Sequence, residues 1–301
     1  MRITQSMMTQ DFLYNITNDN SRMANLENQL STGKTLNEPS DNPLAVSQDM
    51  SINATLSETT GYQNAISQGL TWMNNTSSAL SNLNSALQQI QELTLNGVNG
   101  TNQDPAALNA LSATAQQMVG DVSQIMDSQQ GTRYLFGGTA TQTAPSSYVL
   151  GSTPPPTGAS SNLSLLVAAG IEIPVNVTAT SLMLTIPTGG TADLSQTLTS
   201  IVADLKSGNQ GNLSTDLQNL NAGMSQVTGL EADLGSREVR MNALNSQMSQ
   251  YSNLVTNEKG VIEDANMAQV ITQFNTDQTV YQAALKLGSQ VLLPTLVSYL
   301  P

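Results

Sequence analysis

The stretch ANMAQVITQFNTDQTVYQAALKLGSQVLLPTLVSYL (Ala265–Leu300) decides how the rest of the chain is read. Taken in alternating steps of four and three, it gives Met267, Ile271, Phe274, Gln278, Tyr281, Leu285, Gly288 and Leu292, a coiled-coil seam running almost to the end of the sequence. A second apolar row, Val270, Val280, Ala284, Leu287 and Val291, lies beside it. One partner helix cannot cover both rows. The first thirty residues supply a matching seam in Phe12, Ile16, Met23, Leu26 and Leu30, with Thr9 and Asp19 at its weak positions. Neither end has the broad stripe expected of a helix packed on a globular core, so the two ends are expected to pair with each other. Ordering a segment of about 25 residues costs roughly 1–2 kcal/mol of backbone entropy apiece. Five anchors return too little to make such a pair secure alone. Neighbouring copies covering the second row would complete it, which couples ordering to assembly.

Composition narrows the function. The 301 residues contain no cysteine and no histidine, which removes disulfides, thiolate chemistry, the usual zinc ligands and the commonest general base. Nine basic residues face 22 acidic ones, and a formal charge of −13 disfavours binding to nucleic-acid phosphates. Polarity comes mainly from Asn, Gln, Ser and Thr, and such a surface lets like molecules approach with little charge to desolvate. No segment approaches the roughly 20 apolar residues of a membrane span. The start, MRITQSMMTQDF, has no apolar h-region, so no cleavable secretory signal is expected.

Along the chain, Gly33 is expected to stop the first helix, and KTLNEPSDNPLA (Lys34–Ala45) follows as an ordered spacer. Pro39 and Pro43 bias their predecessors away from helix there, while Ser40, Asp41 and Asn42 supply turn and N-cap chemistry. A long helix is expected over 44–95, loosened near Gly61 and ended by the two Asn-Gly pairs of NGVNG. Asp104-Pro105 reads as N-cap and first helical residue of the next helix, whose seam is Leu108, Leu111, Ala115, Met118, Val122 and Ile125 and which closes at Gly131. Between 132 and 194 the texture changes, and Leu163-Leu165, Ile171-Ile173-Val175-Val177 and Leu182-Leu184-Ile186 alternate as half-buried strands do. Helix resumes with Leu194, Leu198, Ile201, Val202 and Leu205 up to Gly208. It continues over 213–255, where the steps 224, 227, 230 mark a phase slip in the coil. The expected fold is mainly α with a small β insert, a nested rod of long helices. Residues 1–45 with 257–301 would form a terminal coiled coil, 46–140 with 192–256 a helical bundle, and 141–191 a β-rich outer domain.

Catalytic constellations are wanting. Ser31-Thr32-Gly33-Lys34-Thr35 resembles the tail of a phosphate-binding loop, but the required earlier glycine is replaced by Asn28, and no strand precedes it. Lys34 reads as an exposed lysine at a helix stop. Glu263 and Asp264 are adjacent and Glu258 stands apart, so no carboxylate pair forms for acid–base work, and a first-turn role at a helix N-terminus explains them better. Without histidine no hydrolase triad can be built. Trp72 and the 13 methionines fall mostly in seams, where packing is the default explanation. The expectation is a structural protein, not an enzyme, with no cofactor and no metal.

The residues also carry a resemblance. The MRIT start, LENQLSTGKTLNEPSDNPLAV (Leu26–Val46) and YQAALKLGSQVLLPTLVSYL (Tyr281–Leu300) resemble the bacterial flagellin superfamily, and within it the hook-associated protein 3 branch. GTRYLFGGTATQTAPSSY (Gly131–Tyr148) and LGSREVRMNALNSQMSQYSNL (Leu234–Leu254) are similar to that branch's run into its outer domain and to its returning helix. The resemblance implies export through the flagellar type III channel without a cleavable signal, with the help of a cytoplasmic chaperone. It further implies a ring of copies at the hook–filament junction, outside the cell, between hook-associated protein 1 and flagellin. On this basis Phe12, Ile16, Met23, Leu26, Leu30, Ile271, Phe274, Tyr281, Leu285 and Leu292 are carried over as assembly-interface residues, and Pro39, Ser40, Asp41, Asn42 and Pro43 as the spacer. Flagellin itself, the filament subunit, is the nearest alternative; its spacer reads differently and its end usually stops in a basic residue, where this chain has Leu300-Pro301. A secreted enzyme or adhesin acting through the β insert is the alternative of another class.

Overall fold

The computed structural model describes residues 5–99, 104–151 and 153–291. The chain is mainly helical: α1 (Gln5–Thr32), α2 (Pro43–Val98), α3 (Pro105–Met126), α4 (Ser146–Val149), α5 (Ala179–Met183), α6 (Leu194–Ser207), α7 (Gln210–Glu263) and α8 (Met267–Val291). Two short antiparallel pairs interrupt them: β1 (Gln129–Gln130) with β2 (Arg133–Tyr134), and β3 (Ser164–Ala168) with β4 (Ile171–Pro174). Two compact units result, one of residues 1–58 and 251–301, the other of 59–250; α2 and α7 contribute residues to both.

The larger unit holds the core. Ile66, Met73, Leu80, Leu83, Leu87 and Ile90 of α2 are fully buried, as the seven-residue pattern of that helix requires. From α7 the same cluster takes Leu213, Leu220, Val227, Leu234 and Met241, and the three-residue steps at 224, 227 and 230 keep that helix's apolar row on the core. Residues of the insert, Val167, Ile173, Val175 and Val177, belong to this cluster too. Polar ties fix the insert to α7: Gln226 donates to the Ser181 carbonyl at 2.5 Å, and Arg237 donates to the Asn176 and Pro174 carbonyls at 3.3 and 3.4 Å.

Local chemistry sets most boundaries. Asp104 accepts from the Ala106 amide and Pro105 opens α3, as the sequence requires. Asp193 caps α6 through the Gln196 amide, and Gly208 ends that helix with φ +69°.

Several expectations need correction. The first α2 glycine, Gly61, leaves that helix unbroken. Asn96-Gly97 lies inside α2 as well and makes no turn. Gly97 is buried, and a Cβ there would collide with Leu205 Cδ2, so the position needs a bare backbone for close packing on α6. Helix α3 stops at Met126, not Gly131; the latter, at φ +64°, sits in the turn between β1 and β2. Of the three strands expected in the insert, Leu182-Leu184-Ile186 is not one. Thr178 accepts from the Ser181 amide and nucleates the short helix α5, burying Leu182 and leaving Ile186 exposed.

Candidate assembly interface

Within the smaller unit, α1 and α8 pack against each other along their length. Their direction is fixed by three pairings. The Phe12 ring fills the space above Gly288, where a Cβ would overlap Phe12 Cζ. The Arg22 guanidinium donates to Asp277 at 2.9 Å and also to Asp19. Lys34 is paired with Glu263 and bridged in antiparallel register with Asp264. Ascending positions on one side meet descending positions on the other, so the pair is antiparallel.

The seam of α1 matches its heptad pattern. Thr9, Phe12, Ile16, Asp19, Met23, Leu26 and Leu30 are all half-buried, and Met7, Met8, Leu13 and Tyr14 are exposed. The seam of α8 is displaced from the expected one. Its covered residues are Val270, Phe274, Asp277, Tyr281, Ala284 and Gly288, again spaced four and three. Phe274, Tyr281 and Gly288 belong to the expected row, but Met267, Gln278, Ile271 and Leu285 face outward, the last two 47% and 46% exposed. Leu292 lies outside the described residues.

Apolar periodicity could not choose between the two rows of α8, since both are sticky. The choice follows from one polar and one small residue. Asp277 is only 8% exposed and needs the Arg22 cation, while Gly288 supplies the cavity for Phe12. Asp277 is not apparent from the sequence because a carboxylate does not score as a seam residue. The signal was there, for Asp277 stands seven residues beyond Val270, and Asp19 holds an equally anomalous position on the α1 seam.

The spacer is ordered by its own side chains. Asp41 accepts from the Asn37 and Glu38 amides at 3.0 and 2.8 Å, Ser40 donates to Glu38, and Asn42 accepts from the Ala45 amide at 3.2 Å as the cap of α2. Pro43 is the first residue of that helix, where its missing N–H costs nothing. Pro39 is exposed within the turn that Asp41 closes by donating its amide to the Glu38 carbonyl at 3.0 Å.

The start of the spacer is clamped to the α7–α8 junction. Thr35 donates from its amide to the Glu263 carbonyl at 2.7 Å, and Ala265 donates to the Gly33 carbonyl at 2.9 Å. Glu263 therefore sits in the last turn of α7, not at a helix start, and the macrodipole there opposes its charge. Hydrogen bonding from Lys34 holds its carboxyl below the usual range, with Lys259 assisting; the same bond raises the Lys34 ammonium above its ordinary value. Lys34 is thus committed to a structural pair.

A polar recess of about 590 Å³ opens beside the spacer, lined by amides of Asn25, Asn28, Gln29, Asn37 and Asn42 together with Asp41. The Asp41 carboxylate already accepts two backbone N–H groups. Among the described residues no group of three or more acidic side chains is placed to hold a metal, and no helix is long and apolar enough to cross a membrane. What the unit offers is surface: two paired helices whose outer faces carry Met8, Leu13, Ile271, Val280, Leu285 and Leu287.

Residues 3–141 match the family model for the bacterial flagellin N-terminal helical region, and residues 217–300 that for the bacterial flagellin C-terminal helical region. The chain belongs to the bacterial flagellin superfamily. Flagellar hook-associated protein 3 of Salmonella typhimurium is 31% identical over 146 residues, 48% of this chain and 46% of that protein. The match thus spans about half the length of this curated relative. Among solved structures, the flagellar junction protein FlgL of Legionella pneumophila superposes with a TM-score of 0.58 at 11% identity, covering 72% of this chain and 99% of that one. FlgL of Bacillus cereus gives 0.57 at 17% identity, covering 70% and 99%. At these identities the structures establish a shared fold for this flagellin-family chain.

Proposed function

We propose that this chain is a structural component of the bacterial flagellum that forms the junction between hook and filament. The observation carrying the reading is the α1–α8 pair: it covers one row of α8 and leaves a second apolar row, with Ile271 and Leu285, facing outward. Helices left this way suit a head-to-tail assembly in which different surfaces of successive copies meet. The hook-associated names of the relatives select the junction over the filament proper. Phe12, Ile16, Met23, Leu26, Leu30, Phe274 and Tyr281 would then hold the protomer's own pair, and Ile271 and Leu285 would meet its neighbours. Hook-associated protein 1 on one side, flagellin on the other and an export chaperone in the cytoplasm are the partners of this reading. The site of action is outside the cell, and the role requires no catalysis and no cofactor.

Electron microscopy of a strain lacking the gene tests it. Loss of a junction protein leaves hooks without filaments and releases flagellin into the medium as monomer. Hooks that lack filaments with no flagellin in the medium would identify the chain as the filament subunit instead.

A further inference from the structure

The methionines of the two units differ in exposure. In the larger unit Met73, Met126, Met183 and Met241 have no exposed surface, and Met118, Met224 and Met248 are half-buried. In the smaller unit Met7, Met8, Met50 and Met267 are exposed by 54, 44, 68 and 40%. Every described methionine that is openly exposed therefore lies in the unit that carries the assembly faces. Met267 continues the outward row of Ile271 and Leu285 on α8, four residues before Ile271. Met7 and Met8 lie on the outer side of α1 with Leu13 and Tyr14.

A thioether suits a face that must fit more than one neighbour, because it is apolar, unbranched and polarisable. It is also the oxidisable group of this face, since the chain has no thiol and its single tryptophan, Trp72, is buried in the other unit. We infer that Met7, Met8, Met50 and Met267 are an oxidant-sensitive set whose conversion to sulfoxide switches off docking of the unassembled protomer. This inference rests on the assembly reading above. With hydrogen peroxide the chemistry balances simply. One oxygen atom passes to the sulfur, the O–O bond breaks, the sulfur loses two electrons, and water leaves. The product is a polar, chiral S=O group, and a reductase that removes the oxygen restores the apolar side chain. Carried into a dry helix–helix contact, that oxygen would lack a donor, so docking loses its driving force. The buried methionines are protected by the core, and the fold of the larger unit survives.

The full-length chain is treated with hydrogen peroxide, mapped by peptide mass spectrometry and then tested for incorporation with its flagellar partners. Sulfoxide is expected at the four exposed methionines at rates at least about tenfold those of Met73, Met126, Met183 and Met241. Helix content by circular dichroism stays unchanged, and incorporation falls about tenfold, as burying an unpaired polar group at the interface would cause. A variant with Met7, Met8, Met50 and Met267 all changed to Leu, compared only with itself, is expected to give the same incorporation before and after peroxide. Unchanged incorporation of the oxidised protein, or an equal peroxide-dependent loss in the Leu variant, overturns the inference. Failure of the untreated protein to incorporate at all would overturn the assembly reading instead, and that control separates the two.

Discussion

Phe12 and Gly288 form a knob and its hole: the ring occupies the volume that any side chain at 288 would need. This contact sets the stagger of α1 on α8 at the chain-terminal end of the pair. Replacing Gly288 by Val drives a branched side chain into an aromatic ring that cannot retreat far, and the pairing of residues 7–20 with 278–289 is expected to fail. Phe12→Ala should be milder, costing about 1–2 kcal/mol because the ring is only half-buried. Limited proteolysis of the N-terminal helix reads both, with Gly288→Val cleaved faster. Equal cleavage of Gly288→Val and the unmodified chain would show that the helices pair in another register.

Arg22 acts at the middle of the same seam. Arg22→Met leaves Asp277 almost covered and without its cation, an outcome expected to cost about 1–2 kcal/mol after allowance for the exposure of the arginine. For a marginal pair this is about a tenfold rise in the open population. Changing Arg22 and Asp277 together to Leu should recover the stability, since two apolar groups replace a costly ion pair. The double variant should also lose register, because either apolar row of α8 could then face α1. Site-directed disulfide trapping between cysteines introduced at 16 and 284, or alternatively at 16 and 285, distinguishes the two rows in this cysteine-free chain.

The two units should differ in opening free energy. The α1–α8 seam contains half-buried residues for the most part, whereas α2, α3 and α7 carry fully buried rows. Amide exchange on the monomer is therefore expected to be slow over 62–129 and 213–250 in the described helices, and at least about a hundredfold faster over 7–32 and 267–289. Incorporation into an assembly should slow the second set. Terminal helices as protected as the bundle in dilute solution would remove the physical basis for coupling their order to assembly.

Much of this architecture is legible in the sequence because long helices with a seven-residue repeat leave few choices. The α1 row from Phe12 to Leu30, the α7 row with its slip at Val227, and the cap at Asp104 follow directly from spacing and side-chain chemistry. What the sequence hides depends on single tertiary contacts. Gly97 looks like half of a turn until Leu205 is seen pressed against it, and Asp277 looks like a surface carboxylate until Arg22 is found beside it. Alternation over Leu182-Leu184-Ile186 suggests a strand, yet the Thr178 cap outweighs it. The choice between rows on α8 belongs to the same class. Two equally apolar faces carry no information on which one a partner takes.

Gly97 gives a direct test of that tertiary origin. A methyl added there points at a Leu205 methyl that is itself fully buried. Gly97→Ala gains roughly 1 kcal/mol of helix propensity, and overpacking costs about 1–3 kcal/mol. The net expectation is a loss of about 1 kcal/mol in urea denaturation. Gly97→Ala combined with Leu205→Ala, which makes room for the methyl, should show a favourable coupling relative to the sum of the single changes. Additive losses would mean that Gly97 is kept for another reason.

Asp216 makes the larger unit sensitive to pH. It lies in the second turn of α7, 7% exposed, near Asp204 of α6, whose carboxylate accepts from Asn212 at 3.1 Å. Burial, and then the neighbouring Asp204 charge, push the Asp216 carboxyl up to about 6 from 3.8. A raised pKa in the folded state means that the neutral carboxyl is favoured there. Its contribution is complete below pH 3.8 and is lost as the pH rises through about 6. Acidification from pH 7.5 to 5 should therefore stabilise the bundle, while the Lys34–Glu263 pair, whose contribution fades only as pH falls below the ordinary glutamate range, stays intact over that window. Asp216→Asn keeps the shape and the neutral form, so it should raise stability at pH 7.5 by on the order of 1 kcal/mol once solvent screening is allowed for. It should also remove most of the difference between pH 5 and 7.5. Urea midpoints of both proteins at the two pH values measure this. An undiminished pH slope in Asp216→Asn would assign the titration to a different group and leave Asp216 a buried acid that is already ionised.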